Sequence, residues 1–61
     1  MKLKEVSNML KTLYNGFIMI VQASDIVWEG YLNESKIFEY LLESKVIEIY
    51  NIENGLGIII E

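Results

Sequence analysis

The sequence predicts an α+β domain with elements in the order α-β-β-α-β-β. Its four strands form an antiparallel sheet, order 2-1-3-4, with helices on one face. Three observations carry this. Apolar residues recur at three- and four-residue spacing from Leu3 to Tyr14, an uninterrupted apolar run spans Phe17 to Val21, and Asn54-Gly55 separates two isoleucine-rich runs.

Leu3, Val6, Met9, Leu10, Leu13 and Tyr14 fall within an arc of about 140° on a helical wheel, with Lys4, Asn8 and Lys11 opposite. Asn15-Gly16 then supplies a residue suited to a left-handed cap. Phe17-Ile18-Met19-Ile20-Val21 is apolar at every position and too short for a helix, which suits a central strand covered on both faces. Ala23-Ser24-Asp25 carries turn chemistry, and Ile26 to Leu32 reads as a second strand completing a hairpin whose register the residues leave open.

Asn33 or Ser35 can cap a second helix running to about Ser44. Its apolar residues, Ile37, Phe38, Tyr40, Leu41 and Leu42, sweep roughly 200° of circumference, more than one sheet face covers. Val46 to Tyr50 and Leu56 to Ile60 then flank Asn54-Gly55, a strong hairpin signal. A two-residue turn at Asn54-Gly55 pairs Ile49 with Ile60, Tyr50 with Ile59 and Glu48 with Glu61. The predicted core face is Ile47, Ile49, Leu56, Ile58 and Ile60, and the other face carries Tyr50, Ile52 and Ile59 with Glu48 and Glu61.

At 61 residues the chain is one domain, 1–61, near the lower size limit for independent folding. It has no Cys and no His, which excludes disulfides and the common zinc and haem ligands. Without either residue no serine has an evident activating base, and Asp25 and Glu29 read as a turn residue and an exposed strand position. Neither catalytic residues nor a cofactor or metal site is expected. No apolar run approaches transmembrane length and no signal sequence is visible, so a cytoplasmic location is the default expectation.

The net charge is −4, and every cation is lysine. Without the planar guanidinium of arginine, and with a charge that repels phosphate, direct nucleic-acid binding is not expected. Residues 1–14 carry Lys2, Lys4 and Lys11 against Glu5, whereas residues 46–61 hold only acids. Glu39, Glu43, Glu48, Glu53 and Glu61 form a candidate acidic surface, able in principle to imitate the charge of a nucleic acid.

The hydrophobic fraction of 52% exceeds what so small an interior holds. Tyr50, Ile52, Ile59, Phe17, Met19, Trp28 and Tyr31 are therefore candidates for a protein interface, with a homodimer the expected assembly. A second reading makes Trp28 the wall of a small-ligand pocket.

Taken together, the Leu-rich helix, Phe17-Ile18-Met19-Ile20-Val21, Trp28-Glu29-Gly30-Tyr31, a second helix and the Asn54-Gly55 hairpin resemble short acidic proteins of phages and prophages from low-GC Gram-positive bacteria. The resemblance covers nearly the whole chain as a pattern of elements and transfers no functional residue. It implies an accessory role, such as binding and blocking a host protein.

Overall fold

The apolar stripe at the N-terminus winds into α1 (Leu3–Leu13), in a computed structural model that describes residues 1–61. Leu3 and Val6 are fully buried and Leu10 and Tyr14 pack beside them, while Met9 and Leu13 stay exposed. The buried stripe is thus narrower than the apolar arc. The first turn is held by the rest of the chain: the N–H groups of Leu3 and Lys4 donate to the carbonyls of Ser44 and Leu42, at 2.8 and 2.9 Å. Glu5 closes the turn by accepting the Lys2 backbone N–H at 2.8 Å.

After α1 come β1 (Phe17–Gln22), β2 (Asp25–Tyr31), a crossover, β3 (Val46–Ile52) and β4 (Gly55–Ile60). The four strands form one sheet in the order β2-β1-β4-β3. The two hairpins are antiparallel, but β1 and β4 run parallel at the centre, so the sheet is mixed. This corrects the antiparallel order 2-1-3-4. The physical reason is charge: β1 and β4 contain no charged side chain, whereas β2 carries Asp25 and Glu29 and β3 carries Glu48. Parallel pairing concentrates on interior strands, and the two uncharged runs take those places. The charged strands go to the edges, where charges discourage pairing with other chains.

That exchange also corrects the core. Ile58 and Ile60 are fully buried and Leu56 packs against them. Ile47 and Ile49, expected inside, are 60% and 44% exposed because β3 is the outer strand. Ile47 is moreover the extra residue of an irregularity, since Val46 pairs with Ile60 and Glu48 with Ile59.

The β3–β4 turn consists of Glu53-Asn54, with Ile52 opposite Gly55, so the expected turn at Asn54-Gly55 is displaced. Gly55 is needed in the strand: a Cβ there would run into the Phe17 carbonyl oxygen of β1. Ile49 consequently faces Ile58, Tyr50 faces Gly57 and Glu48 faces Ile59. The slip is two residues, so from Glu48 to Ile52 no side chain changes face, and only the irregularity at Ile47 turns Val46 to the core side. At the β1–β2 turn, Ala23 and Ser24 both have positive φ, 51° and 69°. This is the backbone shape that two-residue hairpins favour.

The expected second helix over 34–44 is reduced to one 3-10 turn, Glu39–Leu41, in an otherwise irregular crossover. β-branched and aromatic residues at 37, 38 and 40 weaken helix formation, and eleven residues are too few to be helical without tertiary support. Here tertiary bonding favours the irregular path, which sends Ile37 and Leu41 into the core and turns the Leu42 and Ser44 carbonyls toward α1. Phe38 and Tyr40 are left outside, stacked on each other with ring centroids 5.8 Å apart. The over-wide apolar arc is thereby split between core and surface.

Candidate interaction face

The strand register divides the sheet into two faces. Ile18, Ile20, Trp28, Ile58 and Ile60 point toward α1 and the crossover and are buried. Nothing covers the other face, whose residues form three rows across the sheet. Ile52, Gly55, Phe17 and Tyr31 make the first row; Tyr50, Gly57, Met19 and Glu29 the second; Glu48, Ile59, Val21 and Ile26 the third. The two charges of this face lie only on its edge strands, and the middle is wholly apolar.

Local packing stiffens the face. Phe17 meets Tyr31 edge-on, with centroids 5.6 Å apart and planes at 69°. The Tyr50 ring leans inward over Gly57, where a Cβ would run into its Cζ. Tyr50 is therefore only half-exposed, and Gly57 is buried although no second layer covers it.

Six of the seven interface candidates lie together here: Phe17, Met19, Tyr31, Tyr50, Ile52 and Ile59. Val21 and Ile26 join them; the alternation of Phe17, Met19 and Val21 along one strand already carries the signal for Val21. Trp28 does not join them. It faces the core, 7% exposed, and its indole N–H donates to the Lys36 carbonyl at 3.2 Å. That bond pins the crossover to β2 and satisfies the one polar atom the side chain buries. Beside it lies a shallow depression of about 490 Å³ lined by Ile26, Val27, Trp28, Glu29 and Phe38.

The five acidic candidates do not form one surface. Glu43 is tied to Lys2 and Lys4, each at 2.8 Å. Hydrogen bonds from Lys2 and then Lys4 hold its carboxyl down at about 2, below the ordinary 4.5, and the same contact with Glu43 raises Lys2. Glu39 lines a groove of about 360 Å³ between α1 and the crossover, where Lys4, Lys11 and Lys36 also converge. Nothing in the sequence marks that lysine group, because residue 36 meets residues 4 and 11 only through the tertiary fold. Glu48 lies on the open face, Glu53 in the β3–β4 turn, and Glu61 beyond the far end of β4. β4 holds Glu53 and Glu61 on the order of 20 Å apart.

Asp25 begins β2 and Glu29 sits exposed four residues on, and neither carboxylate makes a hydrogen bond or ion pair. No group of three or more acidic side chains is arranged to hold a metal ion, and no helix is long and apolar enough to cross a membrane. No protein-family model, curated protein or solved structure matches the chain.

Proposed function

We propose that the protein is a non-enzymatic, self-associating interaction module that works through its open sheet face. One observation carries this reading: eight apolar side chains from four strands lie on one sheet face with no second layer, Ile26 and Tyr31 exposed and the other six half-buried, with charge confined to its two edges. Folding alone does not require such a surface. Edge strands without a second layer are commonly polar on the outer side, and alternation of apolar and polar residues is the usual result. Here the interior strands are apolar on both sides. Contiguous patches of this kind on small proteins mark places where another chain docks. The aromatic pair Phe17–Tyr31 and the half-covered Tyr50 supply the rigid contact groups that dominate binding energy at such places.

The accessory role implied by the phage-protein resemblance uses the same face, with a host protein as the occupant. Charge mimicry draws no support from the geometry, because the five carboxylates are dispersed and Glu43 is already paired with lysines. The depression beside Trp28 supports the small-ligand reading more weakly, since the indole edge that would direct a ligand is spent on Lys36.

The test is a mass measurement in solution. Sedimentation equilibrium of the wild-type chain is expected to give twice the 7.1 kDa mass at micromolar concentration. Met19→Lys and Ile59→Lys place a charge at the centre of the face and are expected to give folded monomers. A wild-type monomer at all concentrations up to the millimolar range overturns self-association.

A further inference from the structure

Three of the five lysines converge on one groove, although the chain as a whole carries a net charge of −4. We propose that this groove, between α1 and the crossover, is a binding site for a small phosphate monoester with an apolar body. It lies on the opposite side of the sheet from the open face and does not depend on self-association.

Helical geometry builds one wall. Lys4, Asn8 and Lys11 follow at four- and three-residue spacing, so they share one face of α1 over about 10 Å. The crossover forms the other wall and contributes Lys36 and Glu39. Leu32, Ile37 and Leu42 give the groove an apolar base. Its volume of about 360 Å³ falls in the range of small-molecule pockets, which begins near about 300 Å³.

Both walls are fixed before a ligand arrives. The Lys4 N–H donates to the Leu42 carbonyl at 2.9 Å and ties the helix to the crossover. The Lys36 carbonyl accepts the indole N–H of Trp28 at 3.2 Å, which anchors the backbone of the opposing cation. The buried Ser7 donates its hydroxyl proton to the Lys4 carbonyl and stiffens the helical wall. Pre-formed walls reduce the ordering cost of binding.

The cations of the groove are incompletely matched. Lys4 is paired with Glu43, but Lys11 and Lys36 make no ion pair, nor does Glu39 in the same groove. Three lysines and one glutamate line the groove, a sum of +2, and Glu43 beside Lys4 is balanced by Lys2. A dianion neutralises this charge. A phosphate monoester carries about −1.5 to −2 near neutral pH, with three strong acceptor oxygens. Ammonium groups reaching in from two walls suit such a compact head, whereas a planar carboxylate is matched best by the guanidinium fork, which this chain lacks. The apolar base receives the body of the ester. Glu29 and Glu48 lie on the far side of the sheet, where salt screens them from the groove.

Phenyl phosphate titrated into isotope-labelled protein and followed by NMR tests the site. Amide shifts are expected at Lys4, Asn8, Lys11 and Lys36, with a dissociation constant on the order of 1 mM or lower, about tenfold tighter than inorganic phosphate. Lys11→Gln and Lys36→Gln are each expected to weaken binding about fivefold, whereas Glu39→Gln strengthens it about threefold by removing the opposing charge. All three positions are exposed, and circular dichroism confirms that each variant is folded. Lys45→Gln lies outside the groove and is expected to leave the affinity unchanged. Shifts confined to the open face, the absence of shifts at millimolar ligand, or an equal loss with Lys45→Gln overturns the site. Glutarate binding as tightly as phenyl phosphate overturns the choice of phosphate as the head group.

Discussion

The ring of Tyr50 occupies the space that a side chain at position 57 would need, whereas at position 55 that space is filled by the Phe17 carbonyl oxygen. The two glycines of β4 are thus constrained by obstacles of different stiffness. A tyrosine ring can swing outward; backbone in the middle of a sheet cannot. Gly57→Ala is expected to cost about 1 kcal/mol, with Tyr50 displaced into solvent. Gly55→Ala is expected to cost on the order of 3 kcal/mol or more, because β1 and β4 must separate. Urea denaturation of the two variants measures the order; equal losses would contradict it.

At the first hairpin, Ala23 and Ser24 hold a left-handed backbone that non-glycine residues adopt at a cost of about 1 kcal/mol each. Asn and Gly adopt it readily. The double variant Ala23→Asn, Ser24→Gly is expected to raise stability by about 1 kcal/mol without changing the oligomeric state. A fall in the denaturation midpoint would count against the turn geometry described above.

Trp28, the single tryptophan, reports the junction of β2 and the crossover. Its emission is expected to be blue-shifted and poorly quenched by acrylamide, as suits a 7% exposed indole. Trp28→Phe removes the donor to the Lys36 carbonyl and part of the ring volume, at a cost of about 1–3 kcal/mol. The measurement is thermal or urea unfolding followed by circular dichroism.

Glu43 sets an acid dependence. Its carboxyl is at about 2 in the folded chain and near 4.5 when unpaired, so its contribution is complete above pH 4.5. That contribution is lost as pH falls from 4.5 toward 2. Lys2 behaves oppositely: raised above 10.5 in the fold, it contributes fully below that pH and loses its contribution as pH climbs past it. Both groups lie in water, so the effect is modest and weakened by salt. Glu43→Gln is expected to flatten stability between pH 4.5 and 2 relative to wild type, as read by urea midpoints at low salt. An unchanged slope would show that the ion pairs contribute nothing to folding.

Much of the architecture is legible in the residues, and what is not has identifiable causes. The run 17–21 announced a central strand because five consecutive apolar residues need cover on both sides. The same reasoning applies to Leu56–Ile60, which carries no charge and sits beside β1. An antiparallel meander concealed this, because chain order suggested that β3 should be the inner neighbour. Residue type alone groups Trp28 with the surface aromatics. Its pairing with Ile20, which decides its face, depends on a bulge between Ile20 and Val21 that leaves no trace in composition. Periodicity suggests a helix for the crossover because it registers apolar spacing and not the carbonyls that α1 draws from residues 42 and 44. Tyr50, Ile52 and Ile59 keep their place on the open face, since β3 and β4 are displaced by an even number of residues.

The parallel seam between β1 and β4 also dictates an order of events during folding. Each antiparallel hairpin closes locally through a two-residue turn, but the seam joins residues some 38 positions apart, as Phe17 to Gly55 and Ile20 to Ile58. Local hairpins form in microseconds, whereas distant closure is slow. Until the hairpins meet, β1 and β4 are each an uncharged strand with an open row of backbone donors and acceptors. The rate-limiting step is then the joining of these two edges. Its failure leaves a chain prone to join the wrong edge, so low protein concentration during refolding should favour the native sheet.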